Sequence, residues 1–184
     1  MRTDIPTTIV ALSGQTGSGK TSLAKELARK LQADFVSFGA FVRAEAILRG
    51  IETDKLTLQN LGQALINELG TDEFIYRVLL YGQANNDGVT VLDGVRSIEI
   101  WTAIQRLTLH TFLIYIDVDE NKRISRIKSR DKLTASSIQL AMNHPMEIGI
   151  STLRRYADLV LEEEPINIMV SKIVDLNCKD KYEL

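Results

Sequence analysis

Eight residues, Gly14-Gln15-Thr16-Gly17-Ser18-Gly19-Lys20-Thr21, constrain this chain more than any other stretch. They fit the pattern G-x-x-x-x-G-K-S/T at every fixed position. A short β-branched apolar run, Thr7 to Ser13, precedes them, and a segment with Leu23, Leu27 and Leu31 at helical spacing follows. Strand, glycine loop and helix in that order dictate a geometry. The glycines let successive backbone N–H groups turn inward as an anion nest, and the helix aims its positive end at the same point. Lys20 then reaches β and γ phosphates, and the Thr21 hydroxyl helps hold Mg²⁺. Gly14, Gln15, Thr16, Gly17, Ser18, Gly19, Lys20, Thr21 and Ser22 are therefore the expected binding residues for ATP, with Mg²⁺ as its companion ion.

The rest of the chain offers a sheet for that loop. Asp34 to Ser37, Val89 to Leu92, Thr111 to Ile116 and Leu159 to Leu161 read as further strands separated by helix-patterned stretches, which implies an α/β fold with a mostly parallel, five-stranded sheet and helices on both faces. Between the second and third strands, residues 38–85 exceed a plain crossover and carry helical patterns at Gly39 to Leu48, Leu56 to Leu69 and Glu73 to Ala84. Ligands of open α/β sheets bind beyond the carboxyl ends of the strands, where such an insertion can close over them. Helices are also predicted at Ile98 to Leu107, Asn121 to Ser129, Thr134 to Met142 and Ile166 to Val174. With no repeat, no low-complexity segment and three scattered prolines, residues 1–184 read as a single domain.

Two further elements suit phosphate chemistry. Val89-Thr90-Val91-Leu92-Asp93 is an apolar strand ending in an acid, the form of an aspartate that orients magnesium and its water shell. Gly94 follows, where many ATP-hydrolysing machines place a glutamate to activate water, and this favours transfer to a bound acceptor over hydrolysis. Lys122 to Arg130 holds five cations in nine residues with no acid, and Arg123, Arg126 and Arg130 share one helical face. Like charges at that spacing repel, and a bound phosphate would offset the repulsion. Arg123 and Arg126 are thus expected beside the transferring group with Lys20 and Asp93, and Arg130 near the nucleotide. The guanine-reading pattern N-K-x-D fails at Asn121-Lys122-Arg123-Ile124, leaving ATP as the donor.

Composition narrows the partners. Lys plus Arg number 22 against 24 Asp plus Glu, so the chain lacks the basic excess of nucleic-acid or anionic-membrane binders. Cys178 is the only cysteine, which excludes an internal disulfide and a Cys-based zinc site, and the first apolar run is too short to span a membrane. A cytoplasmic location is expected. His110 and His144 sit on separate segments and read as structural, Trp101 as core, and Glu162-Glu163-Glu164 as a solvated turn.

Together these elements resemble the P-loop nucleoside monophosphate kinase family, with cytidylate kinase and dephospho-coenzyme A kinase as the branches they look most like. The resemblance implies a three-layer P-loop NTPase fold, an acceptor-binding helical insertion at 38–85 and a short lid-like helical region at 119–145. Ser37-Phe38-Gly39 with Phe41-Val42-Arg43 looks like the family's acceptor segment, so Arg43 would bind the acceptor phosphate. Asp93-Gly94-Val95-Arg96 resembles the family's D-G-x-R, which puts Arg96 near the acceptor and Asp93, with Thr21, on the metal. Tyr156-Ala157-Asp158-Leu159-Val160 looks like the lead-in to the family's last strand. Gln59, Asn60 and Gln63 either hydrogen-bond a base or form a polar helix face. The activity implied is transfer of the γ-phosphoryl of ATP to a nucleotide-like small molecule, foremost a nucleoside monophosphate. Transfer to a hydroxyl, as in dephospho-coenzyme A kinase, and a non-catalytic ATP-binding regulator are the alternatives.

Overall fold

A computed structural model describes residues 5–85, 88–131, 142 and 145–180. Five strands, β1 (Thr8–Ser13), β2 (Asp34–Ser37), β3 (Val89–Val95), β4 (His110–Ile116) and β5 (Leu159–Leu161), form one sheet in the order β2-β3-β1-β4-β5. Every pairing is parallel. Because β1 is central and buried on both faces, its side chains alternate between two cores rather than between core and water. Ile9 and Ala11 enter one, while Val10 and Leu12 enter the other.

The second core packs α1 (Lys20–Leu31) and the C-terminal helix against the sheet through Leu23, Leu27, Val170 and Ile173. The first is roofed by the insertion, α2 (Phe38–Leu48), α3 (Lys55–Leu69) and α4 (Thr71–Tyr81), and by α5 (Ile98–Leu107). Phe74 of α4 stacks on Phe38 at 5.6 Å and meets Phe41 edge-on at 5.8 Å, which ties the insertion to the end of β2. Trp101 is buried in this core, as its flanking isoleucines imply. The chain continues through α6 (Glu120–Asp131), α7 (Pro145–Leu153), a single 3₁₀ turn at Arg154–Tyr156, and α8 (Ile166–Asp180).

Strands β2 and β5 match their predicted bounds, and α5 begins and ends where its periodicity places it. β3 runs beyond the predicted strand and its terminal acid, through Gly94 and Val95. The extension contains a bulge: Leu12 pairs with Asp93 but Ser13 pairs with Val95, and the Ser13 hydroxyl donates to the Val95 carbonyl at 2.8 Å. Gly94, the extra residue, has φ +99°, a conformation in which a glutamate would be strained. Helix α7 has no counterpart among the sequence expectations. The predicted helix at Thr134 to Met142, apart from residue 142, and the position of His144 lie outside the described residues.

Candidate active site

The loop between β1 and α1 owes its shape to close backbone approach. A Cβ on Gly14, at φ +144°, would lie 2.7 Å from the Ile116 carbonyl, and one on Gly17, at φ +84°, would lie 2.7 Å from the Arg123 carbonyl. The loop is thus pressed against the end of β4 and the start of α6 with no room for a side chain. Helix α1 starts after Gly19 with no side-chain cap, whereas Ser37, Asp54 and Ser97 cap α2, α3 and α5 by accepting from backbone N–H groups. An uncapped N-terminus leaves donors for an anion.

Lys20, in the first turn of α1, folds back so that Nζ donates to the Gln15 carbonyl at 3.5 Å. Burial, and then the charge of Arg96, pull its pKa down to about 8 against the opposing pull of Asp93 and Glu147. An ammonium held this way gains from any arriving negative charge.

Across the loop, the Thr21 hydroxyl donates to Asp93 Oδ2 at 2.8 Å and the Ser37 hydroxyl to the same oxygen at 3.3 Å. Asp93 Oδ1 is buried and has no hydrogen-bond partner among the described residues. A carboxylate oxygen with open lone pairs beside a hydroxyl fits a hard divalent cation. The described residues contain no cluster of three or more His, Cys, Asp or Glu that could hold a metal by themselves, so such an ion would take further ligands from phosphate or water.

Glu147 is the residue that the sequence reading missed. It lies in the first turn of α7 and is 2% exposed. Its Oε2 accepts from the Thr16 backbone N–H at 3.0 Å, and its Oε1 accepts from the Thr16 hydroxyl at 2.6 Å, from Arg96 Nη1 at 2.6 Å and from Gln59 Nε2 at 3.4 Å. Burial alone would raise its pKa. The Arg96 charge, the two Thr16 hydrogen bonds and Lys20 outweigh burial and bring it to about 2. Pro145 at the first helical position with an acid two residues later was the available signal for this helix.

The arginines of α6 share a face but not a depth. Arg123 is 4% exposed and donates to the carbonyls of Val118 and Thr16, which places its guanidinium behind the loop. Arg126 is more exposed, donates to the Gly17 and Ser18 carbonyls at 3.3 and 3.5 Å, and pairs with Glu163. Lys122 pairs with the same carboxylate at 2.6 Å, so Glu163 bridges two cations of α6 instead of only facing solvent. The Arg130 side chain lies outside the described residues.

Beyond Lys20 and Asp93 the site opens into a cleft of about 1010 Å³ that runs under the insertion. Arg96, Arg43, Gln59, Gln63 and Phe74 also line it. Arg43 donates to the Thr53 carbonyl at 3.2 Å from the mouth of the cleft.

A family described as AAA domain matches residues 13–139, which span the loop, the insertion, Asp93 and α6. A UPF0200 protein of Pyrobaculum aerophilum is 30% identical over 164 residues, 87% of this chain and 90% of that one. The chain belongs to this family of P-loop, nucleoside monophosphate kinase-like proteins. Its kinship with kinases is local in sequence and global in fold. The cytidylate kinase of Methanocella arvoryzae is 44% identical over 64 residues, 35% of this chain and 34% of that one. The APS kinase of Mycobacterium tuberculosis, solved with AMPPNP and APS, superposes over 94% of this chain and 98% of that one with a TM-score of 0.63 at 16% identity. These likenesses support a P-loop kinase-type phosphotransferase with a nucleotide site. No helix among the described residues is long and apolar enough to cross a membrane.

Proposed function

We propose that this protein transfers the γ-phosphoryl of ATP to a nucleoside monophosphate. The observation that carries the reading is the single cleft that joins the uncapped start of α1, Lys20 and Asp93 to Arg96 and Arg43 under the insertion. At about 1010 Å³ it lies at the upper end of the range for small-molecule sites, which suits two nucleotides meeting end to end. The loop amides and Lys20 hold the β and γ phosphates, and Thr21 and Asp93 hold Mg²⁺. Held there by Thr21 and Asp93, Mg²⁺ would supply positive charge to neutralise the transferring phosphates.

Arg96 and Arg43 take the acceptor's phosphate, aligning one of its oxygens with the γ phosphorus. That oxygen forms the new bond as the bond from the γ phosphorus to the bridging oxygen breaks, and ADP leaves with the freed electron pair. Arg126, at the edge of the loop, faces the spreading charge, and Arg123 keeps the loop in place from behind. The protein does little covalent chemistry; its contribution is position and electrostatics. Gly94 removes the acid that would activate water, which favours the bound acceptor. The stretch shared with cytidylate kinase supports a monophosphate as that acceptor.

Replacing Lys20 or Asp93 tests the reading. Lys20→Ala and Asp93→Ala are each expected to cut phosphotransfer by at least about 100-fold, the scale of losing one charge-stabilising group, while circular dichroism stays that of the wild type. Full activity in either variant would overturn it.

A further inference from the structure

Glu147 touches three parts of the cleft that lie far apart in sequence and have different tasks in the proposed reaction. Thr16 belongs to the donor loop, Arg96 stands on the acceptor side after β3, and Gln59 is part of α3 in the insertion. One oxygen, Oε1, accepts from all three side chains. The contact with Thr16 is double, since its backbone N–H donates to Oε2 while its hydroxyl donates to Oε1. One amide of the loop is therefore committed to α7 and not to the anion nest.

A carboxylate that is 2% exposed keeps its charge only while its donors stay in place, because an unpaired buried charge is strongly penalised. The partners are consequently linked. If a nucleotide reshapes the turn at Thr16, the carboxylate must follow or lose two hydrogen bonds, and Arg96 is tied to it at 2.6 Å. Arg96 keeps 28% of its side chain exposed, so it is not enclosed on every side.

We propose that Glu147 is a positioning residue that couples the two halves of the cleft, registering the donor loop through Thr16 and setting the Arg96 guanidinium accordingly. The inference rests on the reading of the cleft as a donor site facing an acceptor site. It makes acceptor capture conditional on the state of the donor loop, through one carboxylate and without a moving domain. A purely structural Glu147 would support stability and carry no such message.

The Arg96 side-chain N–H resonance in the ¹⁵N-labelled full chain, identified by its loss in Arg96→Lys, gives the test. Saturating AMPPNP is expected to shift this signal in the wild type, and the shift is expected to vanish in Glu147→Gln. Thr16→Val deletes the hydroxyl donor and leaves Glu147 intact, so it serves even if Glu147→Gln does not fold. It is expected to reduce the shift by at least half and to cut about tenfold the factor by which bound AMPPNP changes the affinity for CMP or another accepted monophosphate, a coupling of ordinary size. A wild-type signal that ignores bound AMPPNP, or one that shifts equally in the variants, overturns the coupling and leaves the phosphotransfer reading standing. Failure of the wild type to bind AMPPNP at all overturns that reading and the coupling with it.

Discussion

The phosphate loop and the helical insertion face each other across one cleft and are specified in opposite ways. The loop is defined by atoms that are missing: Gly14 and Gly17 have 2.7 Å between a hypothetical Cβ and a neighbouring carbonyl, and both take positive φ. The helices of the insertion are defined by atoms that are present, with Gly82 just past α4 as the exception, where a Cβ would lie 2.5 Å from a methyl group of Val36. Their aromatic contacts, Phe38 with Phe74 and Phe41 with Phe74, could be made by several other apolar sets, and a Cβ on Gly39 would have only the Ser37 hydroxyl at 3.8 Å for company. Gly14 and Gly17 therefore tolerate almost no change of residue type, and the helices of the insertion tolerate changes of kind within a fixed volume. A shared donor chemistry on one side and a variable acceptor on the other would be built this way.

The contrast predicts unequal responses to the same small substitution. Gly17→Ala places a methyl group against the backbone of Arg123, and neither backbone can give way cheaply. Nucleotide binding measured by calorimetry is expected to fall by more than about 100-fold, with a stability loss of about 2 kcal/mol or more from the strained φ and the overlap. A Gly17→Ala protein that binds ATP normally would erase the distinction.

Glu147 gives the next largest effect. Its folded pKa of about 2 lies below the ordinary value of 4.5, so the stability it confers is fully present above pH 4.5 and is lost as pH falls toward 2. The gap corresponds to about 3 kcal/mol. Denaturant titrations of wild type and Glu147→Gln are expected to diverge at neutral pH and to converge as pH approaches 2. Parallel curves would mean that the carboxylate does not hold the loop to Arg96.

Lys20 is lowered too, but at neutral pH it costs stability where Glu147 adds it. With a pKa of about 8 in the free protein and 10.5 unfolded, the folded state holds fewer protons between those values, so this group's penalty on stability is relieved as pH rises from 8 to 10.5. Binding runs the other way, because phosphate needs the ammonium. ATP affinity is expected to be flat up to pH 7 and roughly tenfold weaker at pH 9, a loss set by the proton that must be recovered. A flat profile to pH 9 would place the charge of Lys20 outside the binding step.

The smallest effect belongs to the insertion. Gly39→Ala in α2 is expected to change stability by less than about 1 kcal/mol, in the stabilising direction, since alanine is the better helix former. A large loss there would show that the insertion is as tightly specified as the loop.

The same contrast explains what the sequence revealed. The loop was legible because glycines at fixed spacing, a lysine and a threonine have few reasons to occur together after a buried strand. β1 and β3 were legible because burial on both faces leaves a continuous apolar run. Glu147 was not legible, since its partners lie 131, 88 and 51 residues away and nothing local marks an acid that will be buried among them. The spacing of Arg123 and Arg126 puts them on one face, but spacing carries no depth. Gly17 lets the backbone of Arg123 approach so closely that this arginine ends behind the loop while Arg126 stays at its rim. Glu163 reads as part of a solvated acidic turn until the chain places Lys122 and Arg126 beside it.

Phosphoryl transfer itself can be followed by ³¹P NMR, with wild-type protein, ATP and Mg²⁺ and a panel of CMP, UMP, AMP and GMP. A donor loop facing an acceptor cleft predicts ADP appearing together with one nucleoside diphosphate in equal amounts, and negligible ADP when the acceptor is omitted. Release of inorganic phosphate at the same rate with and without acceptor, or tight ATP binding with no transfer to any of the four, would contradict it.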